Sequence, residues 1–235
     1  MSDEQKLIDH LCDLRKMLIH CVAAVIIFFP VGFLIAPYVI NGLVSWSFPP
    51  ELGKLNYFSP MEVLIIRLNL GAVLSVVISF PYIVWRIWEF LLPALYKNEK
   101  TILKISVFAS TFLFILGAAF CIFLILPVVM QFSASFATPN LQPMLGIKNF
   151  LHLCAVLILS FGFMFQLPLV AVIAVKTGLV SVETLKNLRP YILVGILILA
   201  AFITPPDVIS QIMLAVPTYL LFEAGLLIIG FVEKK

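Results

Sequence analysis

The chain has 235 residues, of which 63% are hydrophobic and only 11% charged, with a formal net charge of +3. A soluble domain is nearer one-quarter charged, and a single core cannot hide this much apolar surface from water, so lipid must be the solvent for most of it. There is no basic tract for nucleic acid and no acidic tail.

Residues 3–16 are polar but periodic. Leu7, Leu11, Leu14 and Leu18 share one stripe, with Lys6, Asp9, Asp13 and Lys16 opposite. This spacing predicts an amphipathic helix at the membrane interface, leading into a first span over about 17–38. The apolar run Met17–Ile40 is too long for a cleaved signal and lacks a small-x-small site, so it is expected to be retained. Loop residues fill 41–59. The second span is expected from 60 to 92, opened by Ser59-Pro60-Met61-Glu62. Ser59 suits an N-cap, Pro60 the first helical position and Glu62 a capping box. Span three covers about 102–126, with a second loop at 133–149. Span four covers 150–175 with Pro168 inside it, followed by a short helix capped by Ser181. The last two spans, 191–203 and 207–230, have short apolar parts, the second because Glu223 cuts its run to about 15 residues. Thirteen residues rise only about 20 Å against a hydrocarbon thickness of about 30 Å. The whole chain, 1–235, therefore reads as one all-α membrane domain of six transmembrane helices. Spans five and six are expected to lie together and thin the bilayer.

Orientation follows from Lys and Arg. With the N-terminus inside, twelve basic residues lie on inner segments, and only Lys54, Arg67 and Lys148 lie outside. The positive-inside rule then places both termini in the cytoplasm. Trp85, Trp88 and Tyr96 fit an inner aromatic belt, and Tyr38, Trp46 and Tyr57 an outer one.

Catalytic signatures are missing: there is no Walker loop, GxSxG or HExxH. Cys12, Cys21, Cys121 and Cys154 are scattered without a CxxC pair, and His10, His20 and His152 fall at different depths. No metal, cofactor or disulfide framework is expected. No Asp, Glu, Lys or Arg lies at the centre of a predicted span, which counts against a small secondary transporter or channel subunit, the competing class. Gln166 is the deepest strongly polar side chain. It reads as interhelical glue or as a contact for an inserted segment. Asp13 and Glu99 both fall on the inner face. Two carboxylates there suit a pair of guanidinium groups, which bind carboxylates bidentately as lysine cannot; equally, they balance Arg15, Lys16, Lys97 and Lys100.

Six segments resemble the TatC family in order. His10-Leu11-Cys12-Asp13-Leu14-Arg15 is similar to its His-Leu-x-Glu-Leu-Arg start, and Ser59-Pro60-Met61-Glu62 to its second-span start. Phe90-Leu91-Leu92-Pro93-Ala94-Leu95-Tyr96-Lys97-Asn98-Glu99 resembles its inner loop, and Phe161 through Pro168 its fourth-span motif. Arg189-Pro190-Tyr191 and Thr204-Pro205-Pro206-Asp207 complete the series. The resemblance implies a concave bundle in a bacterial or archaeal cytoplasmic membrane. It further implies a receptor and core subunit of the twin-arginine translocase. Such a receptor binds Arg-Arg signal peptides of folded cargo and works in an oligomeric complex with single-span partners of the TatA and TatB kind. Export is then driven by the proton-motive force. It assigns Asp13 and Glu99 to the twin arginines, Phe90 to the recognition surface and Arg15 to organising the inner face. Gln166 falls on the concave wall. Asp207, with Pro205 and Pro206, falls in the outer loop between the short spans. Asp207 and Glu62 are equally explained as helix-start residues. Two positions depart from the family pattern. Asp13 stands where Glu is usual, one methylene shorter. Gln166 stands where many members have Glu, so a role needing a titratable group at that depth does not operate here.

Overall fold

The structure, a computed structural model, describes residues 3–48, 55–91, 99–135, 146–176, 178, 180–203 and 208–233. For 3–9, 99–102, 202–203, 209–210 and 228–233 it describes the backbone path alone. Nine α-helices occur among the described residues. They are α1 (Asp3–Ser47), α2 (Pro60–Leu91), α3 (Glu99–Phe120), α4 (Leu126–Ser135), α5 (Ile147–Met164), α6 (Leu167–Lys176), α7 (Val182–Asn187), α8 (Arg189–Ile203) and α9 (Val208–Glu233). Four segments are long and apolar enough to cross a membrane: His10–Ser47, Pro60–Leu91, Leu103–Ser135 and Ile147–Lys176. Arg189–Ala201 and Gln211–Leu227 are shorter apolar helices, which together with the four suits a six-span bundle.

The amphipathic start and the first span form one unbroken helix, α1, which continues to Ser47, past the expected end at 38. It holds Pro30 and Pro37 in its interior. Helices in lipid keep such prolines because neighbouring helices and side chains re-satisfy the freed carbonyls. The close partner of α1 is α2. A Cβ at Gly32 would collide with the Gly71 carbonyl, so the two backbones touch where both residues lack side chains. Without a hydrophobic drive between helices in lipid, this intimate packing is what associates them.

Proline also explains two irregularities further along. Span three runs beyond 126 to Ser135, but with a π-helical turn at Cys121–Ile125 between α3 and α4. Pro127 has no N–H for the Phe123 carbonyl, and its ring crowds the preceding turn. The helix widens there, and Leu126 N–H reaches five residues back to the Cys121 carbonyl. Span four is split rather than continuous. α5 stops at Met164, Phe165 and Gln166 form a turn, and α6 restarts one residue before Pro168. Gln166 N–H turns to the Phe163 carbonyl at 3.0 Å, three residues back. The split sets the amide of Gln166 free to reach across the bundle.

Three packed cores hold the described helices together, one of them formed by Ala171, Val182, Leu185, Phe222 and Leu226 of α6, α7 and α9. Another gathers Cys121, Leu126, Cys154, Leu157 and Phe161, all at most 1% exposed, where α3, α4 and α5 meet. The third stacks Phe80 of α2 on Phe114 of α3, centroids 3.7 Å apart, beside Trp88 and Ile173. Aromatic pairs of this kind contribute about 0.5–1.5 kcal/mol beyond area burial. Gly162 keeps α5 close: a Cβ there would lie 2.5 Å from the Phe114 ring.

At the other end of α2, the two expected loops meet through main-chain atoms. Asn56 and Gly146 form a β-bridge, with Ile147 N–H donating to the Asn56 carbonyl at 2.9 Å. The start of α2 is capped almost as the sequence predicts. Glu62 Oε2 accepts an N–H at 2.8 Å, but from Phe58, one residue upstream of the expected N-cap. Ser181 caps α7 as expected, accepting the Thr184 N–H at 3.1 Å.

Candidate functional site

The amphipathic start of α1 lies beside the last turns of α2, and between them opens a cavity of about 530 Å³. That is within the range of about 300–1,000 Å³ typical of ligand clefts. From α1 it receives Asp13 and Lys16, with His10 at its rim. From α2 it receives Arg86, Glu89 and Phe90. The helical period dictates this set. Residues 10, 13 and 17 share one face of α1, and 86, 89 and 90 one face of α2. The His10 ring stacks on Phe90 with centroids 4.6 Å apart and planes 22° from parallel. This contact ties the two walls and gives the cavity a flat aromatic side. Guanidinium groups stack on such surfaces.

Each acid in the cavity faces a base one turn away. Lys16 Nζ lies 3.5 Å from Asp13 Oδ1, with the two side chains 71% and 63% exposed. A long, exposed pair of this kind contributes about 0–1 kcal/mol and yields readily to a better partner. Arg86 Nη1 lies 2.6 Å from Glu89 Oε2, with the guanidinium also over the Tyr82 ring, 5.8 Å from its centroid. The second pair is tighter and less exposed.

Of the residues expected at the site, Asp13 and Phe90 line this cavity. Arg15 is exposed on α1 and does not line it. Glu99 is the first residue of α3, and its side chain lies outside the described residues. Pro205, Pro206 and Asp207 also lie outside them. Glu62 is at the opposite end of α2 and serves the start of that helix. Gln166 lies away from the cavity: its Nε2 donates to the Ser110 carbonyl at 3.0 Å, linking the α5–α6 turn to α3. Ser110 Oγ in turn accepts from Trp88 Nε1 of α2 at 3.0 Å. Three spans are thus joined by one short polar chain. Arg86 and Glu89 were not singled out by the sequence, although an Arg-x-x-Glu spacing directly before Phe90 is a usable signal for an i, i+3 pair on one helix face.

Among the described residues no group of three His, Cys, Asp or Glu side chains is placed to hold a metal, and the four cysteines are free. The cavity's side chains offer charge, hydrogen bonding and ring stacking.

Comparison with known proteins agrees with this architecture. The family described as Sec-independent protein translocase protein (TatC) matches residues 9–217. Sec-independent protein translocase protein TatC of Haemophilus influenzae is 33% identical over 241 residues, spanning 100% of this chain and 93% of its own. Its counterpart from Escherichia coli K12 is 34% identical, spanning 100% and 92%. A crystal structure of the twin arginine translocase receptor TatC superposes with a TM-score of 0.85 at 30% identity, covering 96% of this chain and 100% of that one. A second, in DDM, gives 0.84 at 31% identity, covering 93% and 98%. With this match over nearly its full length, on sequence and fold alike, the chain belongs to the TatC family of Sec-independent protein translocase proteins.

Proposed function

We propose that this chain is the receptor and core subunit of a twin-arginine translocase, binding signal peptides with consecutive arginines at the cytoplasmic face of the membrane. One observation carries the reading. The α1–α2 cavity is lined by both the Asp13 carboxylate and the stacked His10 and Phe90 rings, an acceptor and a flat ring surface within one cleft. A guanidinium is the common group that uses both. Glu99, opening α3 at the other end of the short segment after α2, supplies the second carboxylate. Arg15, exposed on α1, acts at the rim. The signal's apolar stretch then docks along the helices, and single-span partners of the TatA and TatB kind complete an oligomeric complex powered by the proton-motive force. Both termini lie in the cytoplasm, as the twelve-to-three distribution of basic residues supports.

The test is binding of an Arg-Arg signal peptide against its Lys-Lys counterpart to the full chain in nanodiscs. The Arg-Arg peptide is expected to bind more tightly, by roughly tenfold or more, since two charge-assisted bidentate contacts are at stake. Equal affinity would reject recognition. Asp13→Ala combined with Glu99→Ala is expected to abolish the preference.

A further inference from the structure

We propose that Glu89 is a further carboxylate of the arginine-recognition surface, shared between Arg86 and the incoming guanidinium. This assignment rests on the recognition reading above and deepens it.

The charges in the cavity motivate it. Its walls hold two carboxylates, Asp13 and Glu89, and two strong bases, Lys16 and Arg86. A cleft so balanced attracts a dication weakly unless a resident base gives way. Lys16 gives way easily, being exposed and at the limit of contact with Asp13. Arg86 is different. It already makes with Glu89 the contact an incoming arginine would make, at 2.6 Å and with only 28% of its side chain exposed. It engages one oxygen, Oε2, while a carboxylate presents two oxygens and about four lone-pair sites. Arg86 is also held over the face of Tyr82. A peptide arginine can therefore share Glu89, adding a guanidinium–carboxylate contact at the free oxygen without breaking the resident one. A peptide lysine offers a strongly hydrated point charge instead of a planar fork and gains less from the shared carboxylate. The repulsion from Arg86 falls on both peptides alike, so the preference comes from Glu89.

The experiment measures both peptides, Arg-Arg and Lys-Lys, on the full chain and on Glu89→Gln and Arg86→Gln. Glu89→Gln is expected to weaken Arg-Arg binding about three- to tenfold and to leave Lys-Lys binding nearly unchanged. Arg86→Gln is expected to strengthen both peptides by a similar factor, about three- to tenfold, and to leave the ratio between them nearly unchanged. Unchanged Arg-Arg affinity in Glu89→Gln, or weaker binding of both peptides in Arg86→Gln, overturns the assignment. If Glu89→Gln does not fold, Glu89→Asp takes its place, with a smaller loss of Arg-Arg affinity expected and none overturning. The unaltered chain separates the two levels: if it binds the peptides equally, the recognition reading itself fails; if it discriminates while the variants do not differ, this inference alone fails.

Discussion

Asp13 is well placed for a functional experiment because so little of the fold depends on it. Its contact with Lys16 is long and exposed, and surface changes of this kind usually shift stability by no more than about 0.5 kcal/mol. Asp13→Asn is therefore expected to leave thermal unfolding in detergent unchanged while lowering Arg-Arg peptide affinity. Asp13→Glu is expected to restore it, since the charge returns with a longer reach. A loss of both affinity and unfolding temperature in Asp13→Asn would assign Asp13 to structure instead. The positions of Asp13 and Phe90 were legible in the sequence because each sits in a recognisable segment on a predictable helix face. The place of Glu89 in the cavity was not, because it depends on which residues of α1 it meets. Periodicity gives the face of one helix but not the depth at which two helices are aligned. Gln166 was legible as a deep amide needing partners. Its acceptor, Ser110, was not, since the α5–α6 break that aims it there is a response to Pro168 within the folded bundle.

Among the elements, the short pair α8 and α9 shows how a bundle carries charge into an apolar region. Glu223 interrupts the apolar run of α9, and the sequence offers no reason for it. In the structure Glu223 Oε2 accepts from Arg189 Nη2 at 2.8 Å, and its Oε1 accepts from Tyr219 OH at 2.9 Å. The Arg189 and Glu223 side chains are 41% and 26% exposed, so the pair is neither fully buried nor freely solvated. Toward the other end of these helices, Gln211 Nε2 donates to the Leu197 carbonyl at 3.0 Å. Two polar fastenings thus tie α9 to α8, a helix too short to rely on length. α8 has 15 residues, a rise of about 22 Å, against about 30 Å of hydrocarbon. Removing Glu223 takes this partner from Arg189, and removing Arg189 leaves the carboxylate with Tyr219 alone, so Arg189→Ala and Glu223→Ala are each expected to cost about 1–2 kcal/mol, discounted for exposure. The double variant should cost less than the sum. A thermal double-mutant cycle checks this, and simple additivity would mean that the pair is not coupled. The shortness of these spans was read from composition. The pairing was not, because 34 positions separate Arg189 from Glu223 and only the packed helices bring them into register.

At the scale of the molecule, the expected six apolar segments and their order match the helices, because lipid as solvent forces each spanning segment to satisfy its own backbone. What composition left open is where helices break, as in α5–α6, or widen, as between α3 and α4, since a proline inside an apolar run permits either outcome. The main-chain bridge between Asn56 and Gly146 was equally hidden, as it uses no side chain at all. That anonymity has a practical result. Ordinary replacements at Asn56 and Ile147 leave the Ile147 N–H to Asn56 carbonyl bond in place, whereas a Cβ at Gly146 would press on the Phe58 ring at 3.0 Å and an imino acid at residue 147 removes the donor. Ile147 occupies the opening position of α5, where proline is welcome, and Gly146 already has the extended backbone, φ −75° and ψ 133°, that a following proline demands. Ile147→Pro should thus loosen this contact while sparing every helix: circular dichroism unchanged, protease nicking beside Asn56 and Gly146 quickened. Unaltered nicking would mean the contact is held by side chains, leaving positions 56 and 147 far less free to vary in sequence than a clasp of bare peptide groups allows.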